Sequence, residues 1–116
     1  DIPASALDNG NGLKGGTGGI KGTRSTVKTN LGNEIDITPS SNHSTTTKNP
    51  GYKGTPNSSI DIIDDAGNVQ TRRWFGSDGK AIKDVDMTNH GNPKYHPEWP
   101  HEHFWEYGPD GKPINR

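Results

Sequence analysis

Large apolar side chains are thin along this chain, and where they occur they alternate with polar ones. In "SSIDII" (58–63) isoleucine recurs at every second place before doubling at the end, the period of a half-buried strand. "VQTRRWF" (69–75) reads as a second strand, "AIKDVDM" (81–87) alternates once more, and "HEHFWEY" (101–107) has the aromatic content of a last strand. Between them, "DDAGN" (64–68) reads as a Gly-containing turn, and "GSDGK" (76–80) turns again, because Asp-Gly readily takes the positive φ angles that hairpins need. Upstream, "GTRSTVKT" (22–29) and "NEIDIT" (33–38) are short strand candidates, the second with Ile35 and Ile37 alternating against acidic residues. "GNGLKGGTGGIKGT" (10–23) and "SSNHSTTTKNPGYKGTP" (40–56) have loop composition. The pattern predicts one domain over 1–116, of mainly β to α+β class. Its sheet is a small antiparallel meander of about four strands over 55–116, preceded by a Gly-rich arm with short strands over 1–54. "FGSDGKAI" (75–82) returns as "YGPDGKPI" (107–114), which is read as one turn chemistry used twice.

Composition changes this picture in two ways. Leu, Ile, Val and Phe together number 17 of 116 residues, a level at which many chains stay disordered when they also carry a large net charge. Here 13 basic residues balance 14 acidic ones, so repulsion does not hold the chain open. The expectation is a fold with a small core that gains stability from a partner. The chain has no cysteine, which excludes a disulfide scaffold and every cysteine-bearing zinc site. No apolar run approaches the length of a membrane span or a signal core. Gly10, Gly12 and Gly15 satisfy GxGxxG, but a dinucleotide site needs a strand before it and a helix after it, and neither is legible there.

The candidate chemistry sits in "TNHGNPKYHPEWPHEHFW" (88–105), which holds four of the five histidines, His90, His96, His101 and His103, among Pro93, Pro97 and Pro100. Prolines stiffen a loop and so fix where its side chains point. Three readings compete: polar loop histidines that cap backbone groups, a metal site, and metal-independent cleavage of RNA. On a strand, His101 and His103 project from one face, and His90 or His96 with Asp84 or Asp86 would complete a His/carboxylate metal set. In RNA the 2′-hydroxyl attacks its own phosphate, so the enzyme supplies a base, an acid and cations. Histidine, with an ordinary pKa near 6.5, serves either proton-transfer role near neutrality. Arg72, Arg73, Lys83 and Lys94 surround the histidines in sequence and are phosphate-binding candidates. Trp74, Tyr95, Trp99 and Trp105 offer stacking faces for unpaired bases.

Pro56-Asn57-Ser58, Arg72-Arg73-Trp74, the Asp-Gly turn, Asp84-x-Asp86, His90-Gly91 and Pro100-His101-x-His103 together make a composite. Over the C-terminal half of the chain it resembles the C-terminal toxin domains of bacterial polymorphic toxins, among them effectors of contact-dependent growth inhibition. The resemblance implies a nuclease, most often an RNase that cuts tRNA or rRNA in a competing cell. It implies a cognate immunity protein, delivery from the cell surface as the tail of a much larger protein, and action in the target-cell cytoplasm. Some such domains need a host factor, elongation factor Tu among them. Many have a barnase/EndoU/colicin/RelE-type fold, with helices before the sheet.

Taken together, the sequence points to an RNase toxin with tRNA as substrate, no cofactor, no metal and no membrane. His101, with His103 or His90, is expected to do the acid–base work and Asp86 to orient a histidine. Arg72 or Arg73 and Lys94 are expected to hold phosphate, with Trp74 and Trp105 as base-stacking surfaces. A metal-dependent DNase using the same histidines, and a non-catalytic module that docks a partner through its Trp and Tyr surface, are the alternatives.

Overall fold

A computed structural model describes the backbone of residues 2–3, and residues 25–88 and 97–114. Among these the protein is all-β, with strands β1 (Ile2–Pro3), β2 (Thr26–Lys28), β3 (Glu34–Asp36), β4 (His43–Thr46), β5 (Ser59–Ile63), β6 (Asn68–Phe75), β7 (Ala81–Asp86), β8 (His101–Phe104), β9 (Glu106–Tyr107) and β10 (Pro113–Ile114). No helix precedes the sheet in the described residues, unlike the fold that the resemblance implied. Nor is any helix there long and apolar enough to cross a membrane.

The main sheet runs in the order β4-β5-β6-β7-β8, with β1 paired to β6 off that path. β5 through β8 are neighbours in chain order and each pair is antiparallel, as the short Gly-bearing turns dictate for β5–β6 and β6–β7. β4 joins β5 in parallel. That strand lies inside 40–56, expected above to be loop. Its "HSTT" carries no apolar residue, and an edge strand with both faces polar leaves no hydrophobic period to detect.

The alternation within β6 splits the sheet into two dissimilar faces. The back face carries Ser59, Asp61, Arg72, Trp74, Lys83 and Val85, which sit opposite one another across the β5-β6-β7 ladder. The β2–β3 hairpin packs over it and supplies Ile35 and Ile37 to a core completed by Val69, Val85 and Met87. A register shift at Ile62/Ile63 lets β6 carry one residue more than β5, and this bulge turns Val69 onto the core side. So the Gly-rich N-terminal region, expected to be an arm, furnishes part of the only described hydrophobic cluster. The cluster is as small as the composition implies.

The front face carries Ile60, Ile62, Thr71, Arg73, Asp84, Asp86, His101 and His103 by the same register. Here the segment 49–54 lies along the start of β7, tied by Ala81 N donating to Tyr52 O at 2.8 Å and Gly54 N to Gly79 O at 2.8 Å. Gly54 is required at that contact, since a Cβ there would stand 2.7 Å from the Phe75 ring. The sequence repeat proves to be one turn built twice. Gly76 N reaches Lys80 O and Gly108 N reaches Lys112 O, both at 2.9 Å. Gly79 and Gly111 take φ of +80° and +79°, and the Asp78 and Asp110 carboxylates accept from the backbone N of Lys80 and Lys112.

Candidate active site on the front face

The front face of the sheet opens into a cleft of 450 Å³ lined by Thr71, Arg73, Asp86, Trp105, Tyr52 and the Asn49–Gly51 segment, among others. Each side chain is aimed by strand register. His103 stands opposite Asp84, and His101 opposite Asp86, across the β7–β8 ladder. From there His103 Nε2 lies 3.2 Å from Asp86 Oδ2, while Thr71 Oγ1 donates to Asp86 Oδ1 at 2.9 Å. The carboxylate is thus held from β6 and presents its other oxygen to the imidazole, an arrangement that fixes ring orientation and stabilises the imidazolium when it forms. The His101 and His103 rings meet edge to face with centroids 4.1 Å apart. His101 is exposed.

Beside this pair sits a buried cation. Arg73, 4% exposed, forks onto Asp84 with Nε and Nη2 at 2.8 and 2.9 Å. Its remaining nitrogen Nη1 donates to Asn49 Oδ1 and Gly51 O. Trp105 Nε1 donates to the same Asp84 oxygen at 2.9 Å, and the guanidinium lies 5.0 Å from the Trp105 ring centroid. Asp84 is wholly buried, and a carboxylate survives there because a bidentate arginine and an indole N–H satisfy it. The fork fixes the Arg73 guanidinium on the cleft wall, its charge balanced by Asp84.

The segment entering β8 is tethered across the molecule. Glu98 Oε2 accepts from Thr29 Oγ1 and Asn33 Nδ2, each at 2.6 Å. Asn30 exchanges backbone and side-chain hydrogen bonds with Pro97 and Trp99. The Thr29 and Asn33 hydrogen bonds hold the Glu98 carboxyl below its usual value. The turn of the β2–β3 hairpin therefore clamps the residues that deliver His101, a role that residue spacing alone did not suggest for Asn30 or Glu98.

Arg72 belongs to a different place. It is fully buried on the back face, donating to both Asp61 oxygens at 2.7 and 2.9 Å and to Ile37 O at 2.7 Å. Burial alone would raise the Asp61 pKa, but the Arg72 hydrogen bonds, with His43 beside them, outweigh it and hold the carboxyl below its ordinary value. His43 Nε2 faces Asp61 Oδ2 at 3.1 Å without the alignment of a hydrogen bond, and its Nδ1 meets Ser59 Oγ at 2.6 Å. Trp74 is on the back face too, its Nε1 donating to Thr38 O and Lys83 Nζ 4.5 Å above its ring. Lys83 also pairs with Glu102. His90 and Lys94, expected at the site, lie outside the described residues, as does His96.

Of the residues singled out in the sequence, the front face brings together His101, His103, Asp86, Arg73 and Trp105. Thr71, Asn49 and Tyr52 were not among them. Thr71 was open to detection by alternation, since it shares a strand face with Arg73. Asn49 and Tyr52 sit in a segment whose composition carries no period. Among the described residues no group of three or more His, Asp or Glu side chains is gathered as a metal cage. No family model matches the chain, and neither a curated protein nor a solved structure is significantly similar to it.

Proposed function

We propose that this protein is the toxin domain of a bacterial competition system, an RNase acting on tRNA by metal-independent acid–base catalysis. The observation that carries the reading is the His103–Asp86 pair at 3.2 Å beside the exposed His101 ring, with Asp86 itself on the wall of a cleft that Arg73 and Trp105 also line. In this mechanism one histidine takes the proton of the 2′-hydroxyl as it attacks the adjacent phosphorus. A second gives a proton to the departing 5′-oxygen, leaving a 2′,3′-cyclic phosphate. Asp86 holds His103 for the first or second of these tasks, and His101 or His90 supplies the other. Arg73, locked by Asp84, stabilises the charge that builds on the phosphorane oxygens, with Lys94 assisting. Trp105 offers a stacking face to a base.

The reading takes β5 to β8 as its four-stranded meander, with the histidine strand as the last member. It also includes a cognate immunity protein that blocks the cleft, delivery on a larger surface protein, action in the target-cell cytoplasm and elongation factor Tu as a host factor. The test is expression without an immunity gene, followed by extraction of total RNA. Discrete tRNA fragments with cyclic phosphate ends, formed equally in EDTA, are the expected result. Intact RNA with a degraded chromosome, or cleavage that EDTA stops and a divalent ion restores, overturns it in favour of a metal-dependent nuclease. Healthy cells with both nucleic acids intact overturn it in favour of a binding module.

A further inference from the structure

Beyond the histidines, the Trp105 ring leads into two further rings, Tyr107 and Tyr52, and two lysines, Lys53 and Lys80, that the mechanism above does not use. Trp105 and Tyr107 lie nearly parallel, 17° apart with centroids at 6.3 Å, and Tyr52 follows Tyr107 at 6.0 Å and 52°. Each ring carries a cation: Arg73 5.0 Å from Trp105, Lys80 5.2 Å from Tyr107, Lys53 5.5 Å from Tyr52. Arg73 is held by Asp84, whereas among the described residues neither lysine ammonium forms an ion pair. Lys53 and Lys80 oppose each other across an isolated antiparallel bridge. Like charges facing each other across a ladder destabilise it, and a bound anion would relieve that repulsion.

The cluster is built rather than incidental. Tyr107 Oη donates to Ala81 O at 2.6 Å, burial and then Asp78 push its pKa up, and the Tyr52 backbone is fixed by Ala81 N. Tyr52 also lines the same cleft as Asp86 and Trp105, so its ring joins the cleft to the Tyr107 ring beside it.

We propose that Tyr52 and Tyr107, with Lys53 and Lys80 over them, form a subsite for an unpaired segment of the RNA strand adjoining the cleaved phosphate. Bases stack on the tyrosines and phosphates take the ammoniums. Stacking on a ring requires a base that is not stacked in a duplex, so the substrate class is single-stranded RNA, or a loop, rather than a helical stem. The proposal rests on the RNase reading of the cleft, but its test does not depend on cleavage.

The test is fluorescence anisotropy of the 116-residue chain with a labelled 2′-O-methyl single-stranded oligonucleotide, which cannot be cleaved because its nucleophile is blocked. Tyr52→Leu keeps an apolar body and removes the ring. It should weaken binding by roughly fivefold or more, the lower end of what base stacking contributes. Lys53→Gln combined with Lys80→Gln should flatten the salt dependence by about 1.4 in log–log slope, at about 0.7 per phosphate contact on a single strand. Lys28→Gln, on the hairpin over the other face, should bind as the parent, and so should the parent outcompete a duplex of the same sequence with the single strand. No binding by the parent, preference for the duplex, or unchanged binding in both Tyr52→Leu and the double lysine variant overturns the subsite. Binding as expected by a chain that leaves unmodified RNA uncut supports the subsite and overturns the RNase reading alone. Circular dichroism of each variant separates lost binding from lost fold, and the exposed Lys53 keeps the test open where Tyr52→Leu unfolds.

Discussion

Arg72 and Arg73 are neighbours in the chain and opposites in the sheet: Arg72 forks onto Asp61 across the back face, and Arg73 onto Asp84 across the front. Two adjacent arginines are thus withdrawn from solvent in opposite directions, each beside an aspartate set there by the antiparallel register. One braces the hairpin that carries the core, and the other becomes a wall of the cleft.

Removing Arg72 should therefore be an experiment on folding. Arg72→Ala leaves Asp61 buried at 1% exposure without its bidentate partner, and breaking a buried pair in this way costs about 3–5 kcal/mol. Small domains have about 5–15 kcal/mol in total, so the variant should be largely unfolded or melt far below the parent. Arg72→Lys should not restore it, because an ammonium cannot serve two Asp61 oxygens and Ile37 O with one planar fork. A parental urea midpoint for Arg72→Ala would contradict this account of the back face.

Acid sensitivity should follow from the same aspartate. The folded-state pKa of Asp61 lies below its ordinary value near 3.8. A depressed carboxyl contributes stability that is present above about pH 4 and lost as the pH falls through the folded value. Urea midpoints measured from neutrality down to strong acid should fall steeply in the parent below about pH 4. In Asp61→Asn the midpoint should be lower at neutrality and that acid limb shallower. An equally steep limb in the variant would assign the acid sensitivity to other groups.

The two copies of the Asp-Gly turn offer an internal control. Both Gly79 and Gly111 need positive φ, and an L-residue there costs about 1–2 kcal/mol. At Gly111 an added Cβ meets only the flexible end of Lys80 at 3.3 Å, whereas at Gly79 it stands 2.7 Å from the Gly54 carbonyl oxygen. Gly79→Ala should therefore lower the melting temperature more than Gly111→Ala. Because the displaced segment carries Tyr52, it should also weaken binding of a single strand. Equal melting shifts for the two would show that the 49–54 segment yields freely.

Legibility in the sequence tracked chemistry that is local. Ile60 and Ile62, the β6 run and the Gly79 and Gly111 turns each declare themselves within a few residues, through alternation or a required φ. The same alternation places Arg72 and Arg73 on opposite faces, but only the register opposite Asp61 and Asp84 decides which one meets the cleft. β4 escaped because an edge strand of His, Ser and Thr buries little on either side. The Glu98 clamp escaped because its partners, Thr29 and Asn33, are 69 and 65 residues away. Long-range hydrogen bonds between polar residues leave no period to read.

The sharpest test of the front face is whether Asp86 acts through His103. If His103 moves a proton and Asp86 holds it, His103→Ala should lower the cleavage rate by about 10²–10⁴, the usual cost of losing a general acid or base. Asp86→Asn keeps an oxygen for the Thr71 hydroxyl and removes the charge facing His103, so it should retain the fold with a smaller loss of rate. Residues that act as a unit are not additive, so the double variant should be no slower than His103→Ala alone. His101→Ala should also abolish toxicity while still binding the immunity protein, whereas His96→Ala should remain toxic. Rates on tRNA, growth inhibition and circular dichroism for each variant decide the matter. A folded His103→Ala that cleaves at the parental rate, or losses from Asp86→Asn and His103→Ala that multiply in the double variant, would remove the pair from the chemistry.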